Sequence, residues 1–121
     1  SAAMATAAIV ILAGTESHAD LGRLVNGLET AAEFADNPND EVELLFDGAG
    51  TQWIPELEDE SHDYHGLYRS IRNEVVVCDY CANAFGVDDV VDEADIITAD
   101  ENGGHPSIRS LVEDDSEIIT F

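Results

Sequence analysis

Lysine is missing altogether from these 121 residues, and four arginines stand against 27 aspartates and glutamates, giving a formal charge of -23. That shortage excludes a nucleic-acid-binding surface, which needs clustered Lys or Arg to neutralise phosphates. Anionic membranes are disfavoured for the same reason. No apolar run is long enough to span a bilayer. The apolar start, residues 2–13, has no basic leader, the first arginine being Arg23, so no export signal is expected and a cytoplasmic setting is. The chain has no GxGxxG and no Walker lysine, which argues against a dinucleotide or P-loop site. It has no GxSxG nucleophile turn, so a serine hydrolase is unsupported. Cysteine is scarce too: the two present, Cys78 and Cys81, sit in one local motif. Without export, such a pair points to thiol chemistry or metal binding rather than to a structural disulfide.

What is present suits a folded domain. The hydrophobic fraction is 45%, and the acids are dispersed between apolar runs rather than gathered in a tail. An acidic surface of this kind fits a protein that works in concentrated salt, as in a haloarchaeal cytoplasm. At about 1 M salt the Debye length is about 3 Å, so repulsion that strains the fold in dilute buffer is screened. Residues 1–3 precede Met4 and read as a cloning remnant, leaving one domain over residues 4–121.

The pattern alternates between strand and helix. Residues 8–13 are a continuous apolar run, as in a strand covered on both faces. Residues 20–35 carry apolar side chains at helical spacing, and the segment Asn37-Pro38-Asn39-Asp40 ends them. Residues 42–46 predict a second strand, residues 75–78 a third, 95–98 a fourth and 118–121 a short fifth. Short helices are expected over residues 53–57, 65–72, 80–85, 88–94 and 108–112. Five strands separated by helical segments predict a three-layer α/β/α sandwich around a five-stranded, mostly parallel sheet.

The most specific chemical suggestion lies in the run from Val75 to Gly86. Three valines lead into Cys78, the next helix carries Cys81, and Gly86 suits its C-terminal cap. Cys78 is thereby placed at the carboxyl end of a strand, the edge of an open α/β sheet where ligands collect. Cys78 is expected to be the accessible, reactive thiol and Cys81 to pack against the sheet. The plain alternative is a pair of buried cysteines acting as small apolar residues. His62 and His65, with His18 and His105 in predicted loops, offer further ligands. HDYH beside an acidic run is a poor match to two compact ligand pairs, so these histidines read as solvated or capping, and neither metal nor cofactor is expected. Gly14, Asp47, Gly48 and Gly50 lie in turns after the first two strands and are candidates to line a ligand, with Trp53 as a roof for the pocket; tight turns and core packing account for them equally.

Taken together, AIVILAG with its long first helix, ELLFDGAGTQWI and VVVCDYCANAFGV resemble the DsrE/DsrF-like family over nearly the whole chain from Ala7. The resemblance implies a DsrEFH-like α/β/α domain with a five-stranded parallel sheet, assembled as an oligomer, with a trimer or hexamer expected. Some members of that family carry sulfur as a cysteine persulfide, and Cys78 matches the sulfur-carrying position. Cys81 is not general to the family and would resolve a persulfide or disulfide. The acidic stretch 58–63 is another departure. His62, His65 and Arg72 are the nearest basic groups in sequence that would activate the thiol. The resemblance therefore implies a persulfide carrier with sulfur donor and acceptor proteins as partners. A small-ligand or metal-binding module, and a structural oligomer subunit without catalysis, are the alternatives.

Overall fold

The computed structural model describes residues 4–121, so the expected remnant at 1–3 lies outside the described residues. Five strands form one sheet: β1 (Thr6–Ile11), β2 (Glu41–Phe46), β3 (Val75–Cys78), β4 (Ile97–Ala99) and β5 (Glu117–Thr120). Their order is β4-β3-β2-β1-β5. Every pairing is parallel, so the sheet is wholly rather than mostly parallel. The helices are α1 (His18–Ala35), α2 (Trp53–Glu58), α3 (His65–Ser70), α4 (Asp79–Ala84), α5 (Asp88–Glu93) and α6 (Ile108–Glu113). The architecture is the expected three-layer α/β/α fold, with element ends displaced by one to two residues.

Local chemistry sets the principal boundaries. Ser17 caps α1, its hydroxyl accepting from the Asp20 N–H. Leu24, Gly27, Leu28 and Ala31 make the buried stripe of that helix. Gly86, at φ +70°, turns the chain after α4, as its position in the sequence suggests.

Topology assigns the faces. From β1 to β4 the chain steps across the sheet in one direction, so right-handed crossovers stack α1 to α5 on one side. The return from β4 to β5 passes back over the whole sheet, and the same hand puts α6 on the other side. Side chains agree with this. Ile9, Ile11, Leu44, Phe46, Val75 and Val77 share one core with residues of α1, α2, α3 and α5. Because side chains alternate along a strand, Val76 and Cys78 belong to the opposite face, the one crossed by the β4–α6 connection.

Candidate functional site

Three crossovers bring their ends together above the carboxyl edge of the sheet. Asp47 follows β2. Its backbone N–H donates to the Ile11 carbonyl at 3.0 Å, and its Oδ1 accepts from the Gly48 N–H at 2.9 Å. Gly48 has φ +54°, a conformation glycine adopts without penalty. Cys78 ends β3 and caps α4, with Sγ accepting from the Cys81 N–H at 3.3 Å. His105 arrives on the loop after β4. Asn102 and His105 exchange backbone hydrogen bonds, and the Gly104 carbonyl accepts from the Tyr80 N–H at 2.9 Å. The Tyr80 and His105 rings stack with centroids 4.5 Å apart and planes tilted by 31°. Gly104, at φ +94°, lies so close to Tyr80 that a β-carbon there would sit 3.3 Å from the tyrosine Cβ. A side chain at that position would crowd Tyr80 and strain the positive φ of the turn that carries His105.

The result is a tight cluster. Cys78 Sγ is 3.6 Å from His105 Nδ1, and Cys81 Sγ is 4.0 Å from the same nitrogen. Cys81 Sγ lies 3.5 Å from Asp47 Oδ1. One donor atom from each of Asp47, Cys78, Cys81 and His105 lies within 4.8 Å of every other. Both thiols are reduced and buried.

The expectation that Cys78 is the accessible thiol is not met. It is 0% exposed, whereas Cys81 keeps 8%. Burial pushes the Cys78 thiol up to about 12, helped by its hydrogen bond with the Cys81 side chain and by the Asp47 charge; the backbone N–H of Cys81 pulls the other way. Cys78 Sγ is enclosed between the first turn of α4 and His105, so the thiol nearer to solvent is the one a turn further on.

The other sequence candidates separate cleanly. Asp47 is in the cluster. Gly50 is buried where a β-carbon would lie 2.0 Å from the Ile11 carbonyl oxygen, so the close approach it permits is to the protein's own backbone. Gly14 packs against Ala49 and Gln52, with 3.2 Å and 3.3 Å to a β-carbon placed there. Trp53 is 3% exposed and donates from Nε1 to the Ala13 carbonyl at 2.9 Å; it fills the core instead of roofing a pocket. The basic groups expected to serve the thiol are engaged elsewhere. His65 Nδ1 meets the Leu57 carbonyl at 2.6 Å, and His62 Nδ1 accepts from the Tyr64 N–H at 3.1 Å. Arg72 pairs with Glu58 at 2.9 Å and donates to the Ala94 carbonyl. His105 takes that place beside the sulfurs. Its signal in the sequence was position: it lies in the connection leaving the fourth strand, at the same sheet edge as Asp47 and Cys78.

No family model matches the chain. Over 80 residues it is 25% identical to MJ0733, an uncharacterized protein of Methanocaldococcus jannaschii. The match spans 66% of this chain and 65% of that protein, slightly under two thirds of its length. Among solved structures, BT1422 from Bacteroides thetaiotaomicron, a conserved protein of unknown function, superposes with a TM-score of 0.63 at 11% identity, covering 94% of both chains. At that identity the likeness concerns architecture alone: this chain and the Bacteroides protein share the three-layer α/β/α fold.

Proposed function

We propose that the protein is a DsrE-like sulfur carrier whose working unit is the Cys78–Cys81 pair with His105 as proton acceptor. The observation that supports this is the imidazole nitrogen lying 3.6 Å and 4.0 Å from two thiols at the carboxyl edge of the sheet. With its proton on Nε2, His105 presents a bare Nδ1 to the sulfurs and converts a thiol into a nucleophile. Cys81 is the entry point, since it is the thiol that retains exposure.

The chemistry balances without an outside oxidant. The Cys81 thiol gives its proton to His105, and the thiolate attacks the outer sulfur of a donor persulfide, R–S–SH. The donor S–S bond breaks, R–S⁻ leaves and takes up a proton, and Cys81–S–SH remains. An acceptor thiolate removes the outer sulfur in the same way and restores the Cys81 thiolate. Without an acceptor, the Cys78 thiol attacks the inner sulfur, forming the Cys78–Cys81 disulfide and releasing H₂S.

The test is intact mass after incubation with a low-molecular-weight persulfide in molar KCl, following chelator treatment. A gain of one sulfur is expected for Cys78→Ser, which cannot close the disulfide, and none for Cys81→Ser. No gain in any form, or an equal gain in the double variant, would refute the reading.

A further inference from the structure

We propose that Asp47, Cys78, Cys81 and His105 form a tetrahedral site for a borderline-soft divalent ion of the zinc class. This goes beyond sulfur carriage and does not rest on it.

Distances carry the argument first. Zinc bonds of about 2.0–2.3 Å set donor-to-donor edges of about 3.3–3.8 Å in a tetrahedron. The edges here are 3.5 Å from Cys81 Sγ to Asp47 Oδ1, 3.6 Å from Cys78 Sγ to His105 Nδ1 and 4.0 Å from Cys81 Sγ to His105 Nδ1. All six edges fall within 4.8 Å, so these three fit a tetrahedron nearly as they stand and side-chain adjustment of up to about 1 Å closes the rest around an ion.

Charge points the same way. Two thiols that become thiolates on metal binding, beside a carboxylate, have no arginine to balance them: Arg23 pairs with Asp20, Arg72 with Glu58 and Arg109 with Glu113, and Arg69 acts on Glu58. A divalent ion neutralises the cluster and draws off the thiol protons that burial otherwise retains. The donor set also selects. Magnesium and calcium require six or more oxygens, and a single carboxylate stands here; two sulfurs and one imidazole nitrogen suit zinc.

Preorganisation is the third support. The backbone N–H of Cys81 already points at Cys78 Sγ, as outer-shell donors do toward a metal-bound thiolate. Tyr80 stacks on His105 and fixes its ring. Asp47 is pinned to Ile11 and Gly48. The four ligands come from three separate connections, each anchored independently of any ion.

The probe is cobalt(II), because a chain of charge -23 adsorbs divalent ions on its carboxylates and stoichiometry alone means little. Oxygen-bound octahedral cobalt is pale and has no sulfur charge-transfer band. Chelator-stripped protein in molar KCl, kept anaerobic, is titrated with cobalt. The expected result is an intense tetrahedral visible spectrum with a thiolate-to-cobalt band in the near ultraviolet, saturating at one ion per chain and bleached by zinc. Cys78→Ser and Cys81→Ser should each weaken the charge-transfer band, and Asp47→Asn or His105→Ala should alter the visible envelope. A pale octahedral spectrum from the wild-type protein would overturn the proposal, and that titration decides the matter even if a variant misfolds. A tetrahedral spectrum that survives in the double cysteine variant would overturn it as well. The sulfur reading is scored separately by mass on stripped protein, so either can fail alone; if both hold, zinc loading blocks sulfur uptake, since the two occupants need the same sulfur atoms.

Discussion

At the scale of single residues, Gly50 couples the core to the cluster. The Ile11 carbonyl that a β-carbon at position 50 would strike also accepts the Asp47 N–H. Gly50→Ala is expected to cost about 2–3 kcal/mol, a typical overpacking penalty when backbone must move. Thermal melts should show it, and the displaced carbonyl should weaken cobalt binding by loosening Asp47. Glu58 supplies a pH-dependent counterpart. Burial raises its carboxyl, but hydrogen bonds from Tyr68 and Arg72 and the charges of Arg72 and Arg69 outweigh that and hold it below the usual carboxylate range. Tyr68 is wholly buried, and its hydroxyl donates to Glu58 at 2.5 Å. With the folded value depressed, the stabilisation is complete above the unfolded value of about 4.3 and is lost as pH falls through the folded one. Glu58→Gln should therefore cost about 1–2 kcal/mol near neutrality. The gap in melting temperature between variant and wild type should close below about pH 4. A gap that stays constant through that range would mean the carboxylate charge contributes nothing.

At the scale of elements, the sequence pattern located the five strands and the six α-helices, though not the 3-10 turns at Gly48–Gln52 and Arg72–Glu74, because each of the former is carried by local information. β1 is an unbroken apolar run, α1 has an apolar stripe and a serine cap, and β3 is a β-branched run ending in cysteine. Two things escaped it. One was which thiol is nearer to solvent: that depends on what covers the face of Cys78, and His105 on the distant loop after β4 lies against it. The other was the identity of the basic partner. Proximity in sequence favoured His62, His65 and Arg72, whereas His105 reaches the thiols through a turn of positive-φ glycines at 103 and 104 that no periodicity records. Gly104→Val tests that turn. It strains the positive φ and crowds Tyr80, so the fold should survive with a small loss of stability while the visible cobalt envelope changes as it does in His105→Ala. An unchanged spectrum would show that the loop does not position the histidine.

At the scale of the whole molecule, charge and assembly dominate. The excess of acids has no internal counter-charge, so stability should rise steeply between dilute buffer and molar KCl as screening shortens the reach of repulsion. A melting temperature independent of salt would contradict this. A trimer or hexamer is what the family resemblance leads one to expect, and Trp53 and Tyr68 would take no part in its contacts, being buried in the core. The exposed apolar side chains are instead Tyr80, Phe85, Ile97 and Val112, among others. Light scattering in high salt should report an oligomer, and Ile97→Glu should shift it toward monomer if the β4 edge takes part.

The strand order has a consequence for synthesis on the ribosome. β1 emerges first and becomes the fourth strand of five, flanked by β2 on one side and β5 on the other. As the chain lengthens, β2, β3 and β4 add outward along one edge, while the second edge of β1 waits more than a hundred residues for its partner. That edge belongs to TAAIVI, a segment whose own residues are almost all buried in the finished sheet. Throughout that interval the nascent protein offers a bare hydrophobic template on which another nascent copy can pair. Pausing of translation within residues 100–116 would prolong the hazard, and release of a chain lacking 117–121 would make it permanent, with inclusion bodies as the outcome in place of a merely weakened fold.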